Sequence, residues 1–247
     1  DFNGGDIIDI ICRQPATARF ISRHLYHFFV ADEPPVPQWP YEPPRDPEAI
    51  ETLTQAYFDS NYDIRSMLRV LFYSDFFRSE DCRNAKVKSP AELVTGVIRL
   101  TEEFDSPRRE IADRNAQMSY MGQTLVNPPS VEGWHQGVEW IETGSLIERL
   151  NFASQQLGDM DKPGVKSMVR NIMEREEGVI PPERLVDKCL DQLGAIEVSS
   201  ATRDVLVNFA TENQLPEAGF GESNQKSGQK ILDMLRFVVA IPEFQRH

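Results

Sequence analysis

Apolar residues recur along this chain every three to four positions, the spacing of a helix with one buried face, and no stretch sustains the alternation of a strand. From Pro15 to about Ala31 the stripe is Phe20, Ile21, Leu25, Phe28 and Phe29, with Pro15 at a first helical position where its missing N–H breaks no bond. Asp46-Pro47 repeats the device ahead of Ile50, Leu53, Tyr57 and Phe58, and Asp63 is an N-cap for Ile64, Met67, Leu68, Leu71 and Phe72. Ser89-Pro90-Ala91-Glu92 has the form of a capping box leading into Val94, Val97 and Ile98. A second box is read at Ser145-Leu146-Ile147-Glu148, with Ile147, Leu150 and Leu157 on one face and Gly158 as the stop beyond the C-cap. Further helices are expected over Pro163–Arg175, Pro182–Leu193, Ser200–Glu212 and Gln225–Val239. The expected fold is all-α, an irregular multi-helix bundle with long Pro-rich and Gly/Trp-rich loops and no sizeable sheet.

Three segments interrupt the pattern. Glu33–Pro47 holds seven prolines around Trp39 and Tyr41, so it is expected to run extended as a stiff connector with both rings docked; a polyproline ligand is the alternative. Asn127–Gly144 concentrates glycine and tryptophan, and residues 214–226 read as a mobile loop. Met67-Leu68-Arg69 before Ser74-Asp75-Phe76 is echoed by Met234-Leu235-Arg236 before Pro242-Glu243-Phe244, which chance or a shared helix stop explains as well as duplication does.

Charge then narrows the classes. Against 26 basic side chains stand 39 acidic ones, a net −13, which is the wrong sign for a duplex nucleic-acid binder. No apolar run approaches the ~20 residues of a membrane span. Three cysteines, Cys12, Cys82 and Cys189, leave at most one disulfide pair, and Cys12 and Cys189 read as small core residues. Asp1 rather than Met opens the chain, which is therefore read as a processed product or a fragment of something longer.

Four stretches in order resemble a known family. They are Phe2–Asp9 followed by Arg13–Phe20, Lys86–Val94, Met121-Gly122-Gln123 through Pro128–Trp134, and Trp140-Ile141 leading to Arg149–Ala153. Together, with Ala240–Gln245 at the end, they are similar to the bacterial domain-of-unknown-function family 1800, over residues 1–157 and again at the C-terminus. Members are usually longer at the N-terminus, so the resemblance implies the C-terminal part of a bigger protein. It also implies an exported setting (periplasmic, extracellular or cell-surface, with cytoplasmic as the alternative) and a protein partner, such as a second exported protein of unknown role. The family has no established activity, so no catalytic residue carries over. His24 and His27 depart from the family pattern, where Lys or Arg is expected.

The densest candidate chemistry lies between Pro128 and Thr143. Glu132, Trp134, His135, Glu139 and Trp140 can build a ligand site, through carboxylate–imidazole proton transfer or stacking of a sugar on the indoles. The competing reading is a buried corner in which Gly133 and Gly137 turn the backbone and the indoles fill space, and it is favoured because the loop exits straight into a helix. His24 and His27, three apart on one helix, can share a metal, but no third ligand is spaced to complete the set, so a half-buried helix face is preferred. His247 is expected to be disordered. No nucleophile elbow, phosphate loop or HExxH motif is present. The expectation is one helical domain over 1–157 and a helical extension over 158–247 packed on it as one unit. The function expected is a non-catalytic interaction or structural module, with no catalytic residue, metal or cofactor assigned. The alternative is a hydrolase or carbohydrate-binding site on the Trp134–Glu142 loop.

Overall fold

The computed structural model describes residues 3–174, 180–194, 196–213 and 222–247, with side chains from 226 onward in the last stretch. Among the described residues there are twelve α-helices and no strand, only an isolated bridge between Ser130 and Gly133. The all-α expectation holds. No described helix is long and apolar enough to cross a membrane. The chain divides into two compact units, one of Asp1–Val87 with Gln136–Val138 and His247, the other of Lys88–His135 and Glu139–Arg246.

The first unit holds α1 (Gly4–Cys12), α2 (Pro15–Phe29), α3 (Pro47–Asp59), α4 (Ile64–Tyr73) and the single turn α5 (Asp75–Arg78). Its core joins Ala18 and Tyr26 of α2, Ile50, Leu53 and Tyr57 of α3, and Met67 and Leu71 of α4, all under a tenth exposed. The starts are those the residue types dictate. Asp46 accepts the Ala49 N–H at 3.0 Å and Asp63 the Ser66 N–H at 2.8 Å. Between α3 and α4 the chain reverses through Asn61 and Tyr62, both left-handed (φ 54° and 71°). Tyr62 holds this costly conformation with its ring 5.0 Å from that of Tyr57.

The second unit holds α6 (Pro90–Thr101), α7 (Glu110–Tyr120), α8 (Thr143–Leu157), α9 (Pro163–Met173), α10 (Pro182–Gln192), α11 (Ser200–Glu212) and α12 (Glu222–Val238). One apolar core runs through it, including Val94, Val97, Phe152, Leu157, Val165, Val186, Leu206, Ile231 and Leu235. Ser89 and Glu92 form the reciprocal cap read from the sequence, Ser89 Oγ accepting from Glu92 N at 3.3 Å and Glu92 Oε2 from Ser89 N at 2.7 Å. Helices α6 and α9 approach so closely that a Cβ on Gly164 would meet the Leu100 carbonyl oxygen at 2.2 Å.

Several expectations change. The boundary drawn between 157 and 158 falls inside the second unit, because α8, on its near side, shares the core with α12. Ser145 does not cap: α8 begins at Thr143, and Leu146 N already donates to Glu142 O at 2.8 Å. Gly158 is right-handed (φ −88°) rather than a left-handed stop, and the Arg236 guanidinium packs over it. The Pro-rich connector is not wholly extended, since Val36–Gln38 makes a turn of 3₁₀ helix. Trp39 docks as expected, whereas Tyr41 is 88% exposed. Cys189 is buried while Cys12 and Cys82 are half-buried, and all three are thiols. His247 pairs its backbone with Lys86, donating to O at 2.9 Å and accepting from N at 3.2 Å. Of the loop expected at 214–226, residues 214–221 lie outside the described residues and α12 has begun by Glu222, as Arg175 lies outside them beyond α9.

Candidate functional site

The Gly/Trp-rich segment separates its candidates. Trp140 is 5% exposed and packs against Gly122, whose φ of 98° lets the backbone pass over the ring. Trp134 is half-buried, its indole N–H donating to the Thr124 carbonyl at 3.0 Å. His135 is open to solvent, with Nδ1 3.3 Å from Glu139 Oε1 and its ring edge-on to Trp140 at 6.5 Å. Glu132 is exposed and donates its backbone N–H to Ser130 Oγ at 3.2 Å. An imidazole–carboxylate pair thus exists, backed by one buried indole, with Glu132 and the second indole serving the loop's own shape.

A larger polar cluster in the first unit involves residues the sequence did not single out as a site. The Arg23 and Glu33 side chains are 7% and 0% exposed and meet at 2.6 Å. Arg23 also donates to the carbonyls of Glu42 (3.0 Å) and Pro43 (3.2 Å), and its guanidinium sits 4.7 Å from the Trp39 ring centre. Glu33 Oε1 accepts the Arg45 N–H at 2.8 Å. This one pair folds the proline-rich connector back over α2.

Both α2 histidines are built into the same surface. His24 lies between Phe20 and Trp39, at 4.4 and 4.6 Å between ring centres, and its pKa falls through burial and then through His27. His27 Nδ1 accepts the Glu33 N–H at 2.9 Å, so the ring is neutral with its proton on Nε2, which donates to Gln136 Oε1. Burial lowers its pKa, and Lys86 adds to that, while the Gln136 bond opposes it. Beside it Lys86 Nζ donates to His27 O (2.6 Å) and Asp32 Oδ1 (3.3 Å), and Asp32 Oδ2 accepts the Val87 N–H at 2.7 Å. The histidines face different partners, and no group of three metal-ligating side chains occurs among the described residues.

In the second unit three of the stretches that carry the family resemblance converge. Arg149, fully buried on α8, donates through Nε to Gln245 Oε1 (2.9 Å) and through Nη2 to Gln245 O (3.4 Å). Lys88 donates from its backbone to Gln245 O (3.0 Å) and from Nζ to Phe244 O (2.8 Å), and Gln245 Nε2 reaches Val239 O at 2.9 Å. Burial pulls the Arg149 guanidinium down to about 10 against the opposing charge of Glu92. Lys88 is also lowered, by burial first and then by Arg149. This is a buried cationic knot that fastens the C-terminal turn.

Among the described residues of the first unit are a small concavity and a larger groove. One, about 290 Å³, is lined by Tyr26, Arg45, Asp46, Asp75, Phe76 and Cys82 among others. There burial and Asp46 raise the Tyr26 phenol to about 12, and the Cys82 thiol lies 2.9 Å from Phe77 O and 3.1 Å from Ser79 O. The other is a groove of about 940 Å³ along α3 and α4. Apolar surface is concentrated elsewhere: α1 has no buried residue, and Ile7, Ile8, Ile10 and Ile11 are each about half exposed.

The fold and these clusters define a helical protein whose buried charges are fastened to its own backbone. The chain belongs to the family described as a protein of unknown function (DUF1800), whose model matches residues 1–246, including the stretch between the motifs that first suggested it. No curated protein and no solved structure matches it.

Proposed function

We propose that this chain is a non-catalytic helical interaction module that presents apolar helix faces to a protein partner. The observation that supports it is α1. Its reciprocal Asn3–Asp6 cap and the bonds from Thr17 Oγ1 to Ile11 O (2.7 Å) and from Tyr57 Oη to Cys12 O (2.9 Å) hold it as a helix at both ends. Yet its four isoleucines each leave about half of their surface in water, and an ordered apolar helix face left in water is the signature of an interface. The family resemblance supports a bacterial, exported or surface-associated setting, with the partner a protein of the same compartment.

The test is recovery of a stoichiometric partner with the natural protein and its comparison with Ile7→Asp/Ile11→Asp. These exposed substitutions leave the core untouched, so retained helicity with at least a tenfold loss of partner is the expected result. The second reading, a hydrolytic or sugar-binding site, is favoured by one feature, the solvent-open His135–Glu139 pair. Turnover of aryl esters or aryl glycosides that disappears in His135→Ala and Glu139→Gln would replace the module reading with that one.

A further inference from the structure

The groove between α3 and α4 states what a partner must look like. Its α3 wall comprises Glu48, Glu51, Thr52, Gln55, Ala56 and Asp59, successive positions on one helix face, with Gln55 Nε2 donating to Asp59 Oδ1 at 2.7 Å. Eleven residue steps at 1.5 Å make it about 16 Å long, or three helical turns. Val70 supplies the facing wall from α4. Thr52 turns its hydroxyl onto the Glu48 carbonyl at 2.9 Å, which leaves its methyl with Ala56 and Val70 as an apolar floor. Three carboxylates rim that floor and no lining residue is basic. Arg19 is 3.8 Å from Glu51, with both side chains about two-thirds exposed, a solvated pair that a better-placed cation can displace.

We infer that this groove docks a basic amphipathic helix of a partner protein, about three turns long, with an apolar stripe flanked by Lys or Arg. The inference rests on the module reading and names its partner. A helix fits because the wall repeats at helical spacing and an apolar stripe can lie between its ridges. Charge disfavours a second copy: the chain carries −13, and its own exposed apolar helix α1 brings Asp6 and Asp9 to any such contact. The acidic rim likewise repels phosphate.

The probe is a synthetic amphipathic peptide with a leucine stripe flanked by lysines, against a twin with glutamate in place of lysine. Each is titrated into the full 247-residue chain, with hydrogen exchange to locate the contact. The lysine peptide should bind and protect α3 and α4, and the glutamate twin should not. Glu48→Gln/Glu51→Gln, at exposed positions, should weaken binding about three- to tenfold at low salt, a difference that vanishes near ~1 M salt. No binding, equal binding of the twins, protection on α1 instead, or an unchanged double variant would each overturn the inference. The natural partner separates the two claims. If it is lost in Ile7→Asp/Ile11→Asp but kept in Glu48→Gln/Glu51→Gln, the module stands and the groove assignment fails; if neither variant moves it, both fail.

Discussion

Arg23 in the first unit and Arg149 in the second are both withdrawn from water, at 6% and 0% exposure, yet their partners differ in kind. Arg23 meets a carboxylate that is itself buried, three backbone carbonyls and the face of an indole. Arg149 meets a neutral amide, and its Nη1 has no hydrogen-bond partner among the described residues. Taking a guanidinium out of water costs several kcal/mol even after relaxation. In the first unit an opposite charge at contact distance offsets that cost. In the second it persists and appears as the fall of the Arg149 pKa to about 10. One buried cation therefore depends on its mate, whereas the other is a net cost carried by the packing around it. The same substitution at the two sites should have unlike consequences.

The largest effect belongs to the pair. Glu33→Ala leaves Arg23 charged, buried and without its carboxylate, and removes the acceptor for the Arg45 N–H, so a loss of about 3–5 kcal/mol is expected. Hydrogen exchange at the amides of α2 and α3 checks it unit by unit. Arg23→Met/Glu33→Leu, which removes both charges and keeps the volume, should recover most of the loss. If the single variant unfolds no more easily than the parent, the buried pair is not what fastens the connector to α2.

At the second site the order inverts. Gln245→Ala strips Arg149 of its side-chain acceptor and the Val239 carbonyl of its donor, at about 1–3 kcal/mol. Arg149→Met removes the incompletely paired cation but leaves the buried Gln245 Oε1 without its donor, so it should cost less than Glu33→Ala, and in the Gln245→Ala background it should restore part of the loss. Urea midpoints of the four proteins form the cycle. An Arg149→Met penalty as large as that of Glu33→Ala would mean that the two buried cations are held alike.

Neither cluster was legible in the sequence, though most of the helices were, and the reason is physical. Asp46, Asp63 and Ser89 act on amides three residues away, so residue type and spacing suffice to find them. Helix α7 buries only Met118 and has no side-chain cap, so it leaves little periodic trace. Helix α1, which was not among the expected helices, buries nothing, and the Asn3–Asp6 cap is the local sign that could have marked it. Partners such as Arg23 and Glu33, or Arg149 and Gln245, are chosen by how the chain returns, which no local pattern records. Likewise, which of the two tryptophans of the loop is buried depends on Gly122, outside that loop, passing over Trp140. The resemblance did point at Lys88, Arg149 and Gln245 as parts of motifs, without saying that they touch.

The smallest predicted effect separates the units by pH. His27 accepts the Glu33 N–H through Nδ1, so protonation would break a bond inside the first cluster. Its folded pKa lies below the ordinary 6.5, as does that of His24. As pH falls through 6.5 the unfolded chain therefore binds protons before the folded one, and stability declines, by no more than about 1.4 kcal/mol per pH unit for each histidine. The stability gained on returning to neutral pH is complete once both states are deprotonated. Arg149, titrating near 10, contributes nothing in this window, so the slope reports on the first unit. His27→Gln should flatten, without abolishing, the dependence of the urea midpoint between about pH 7.5 and 5.5, leaving the slope of His24 and the shared background of the carboxylates. Parallel lines for variant and parent would show that His27 carries its proton alike in both states, and its bond to the Glu33 N–H would then add nothing to the pH dependence of folding.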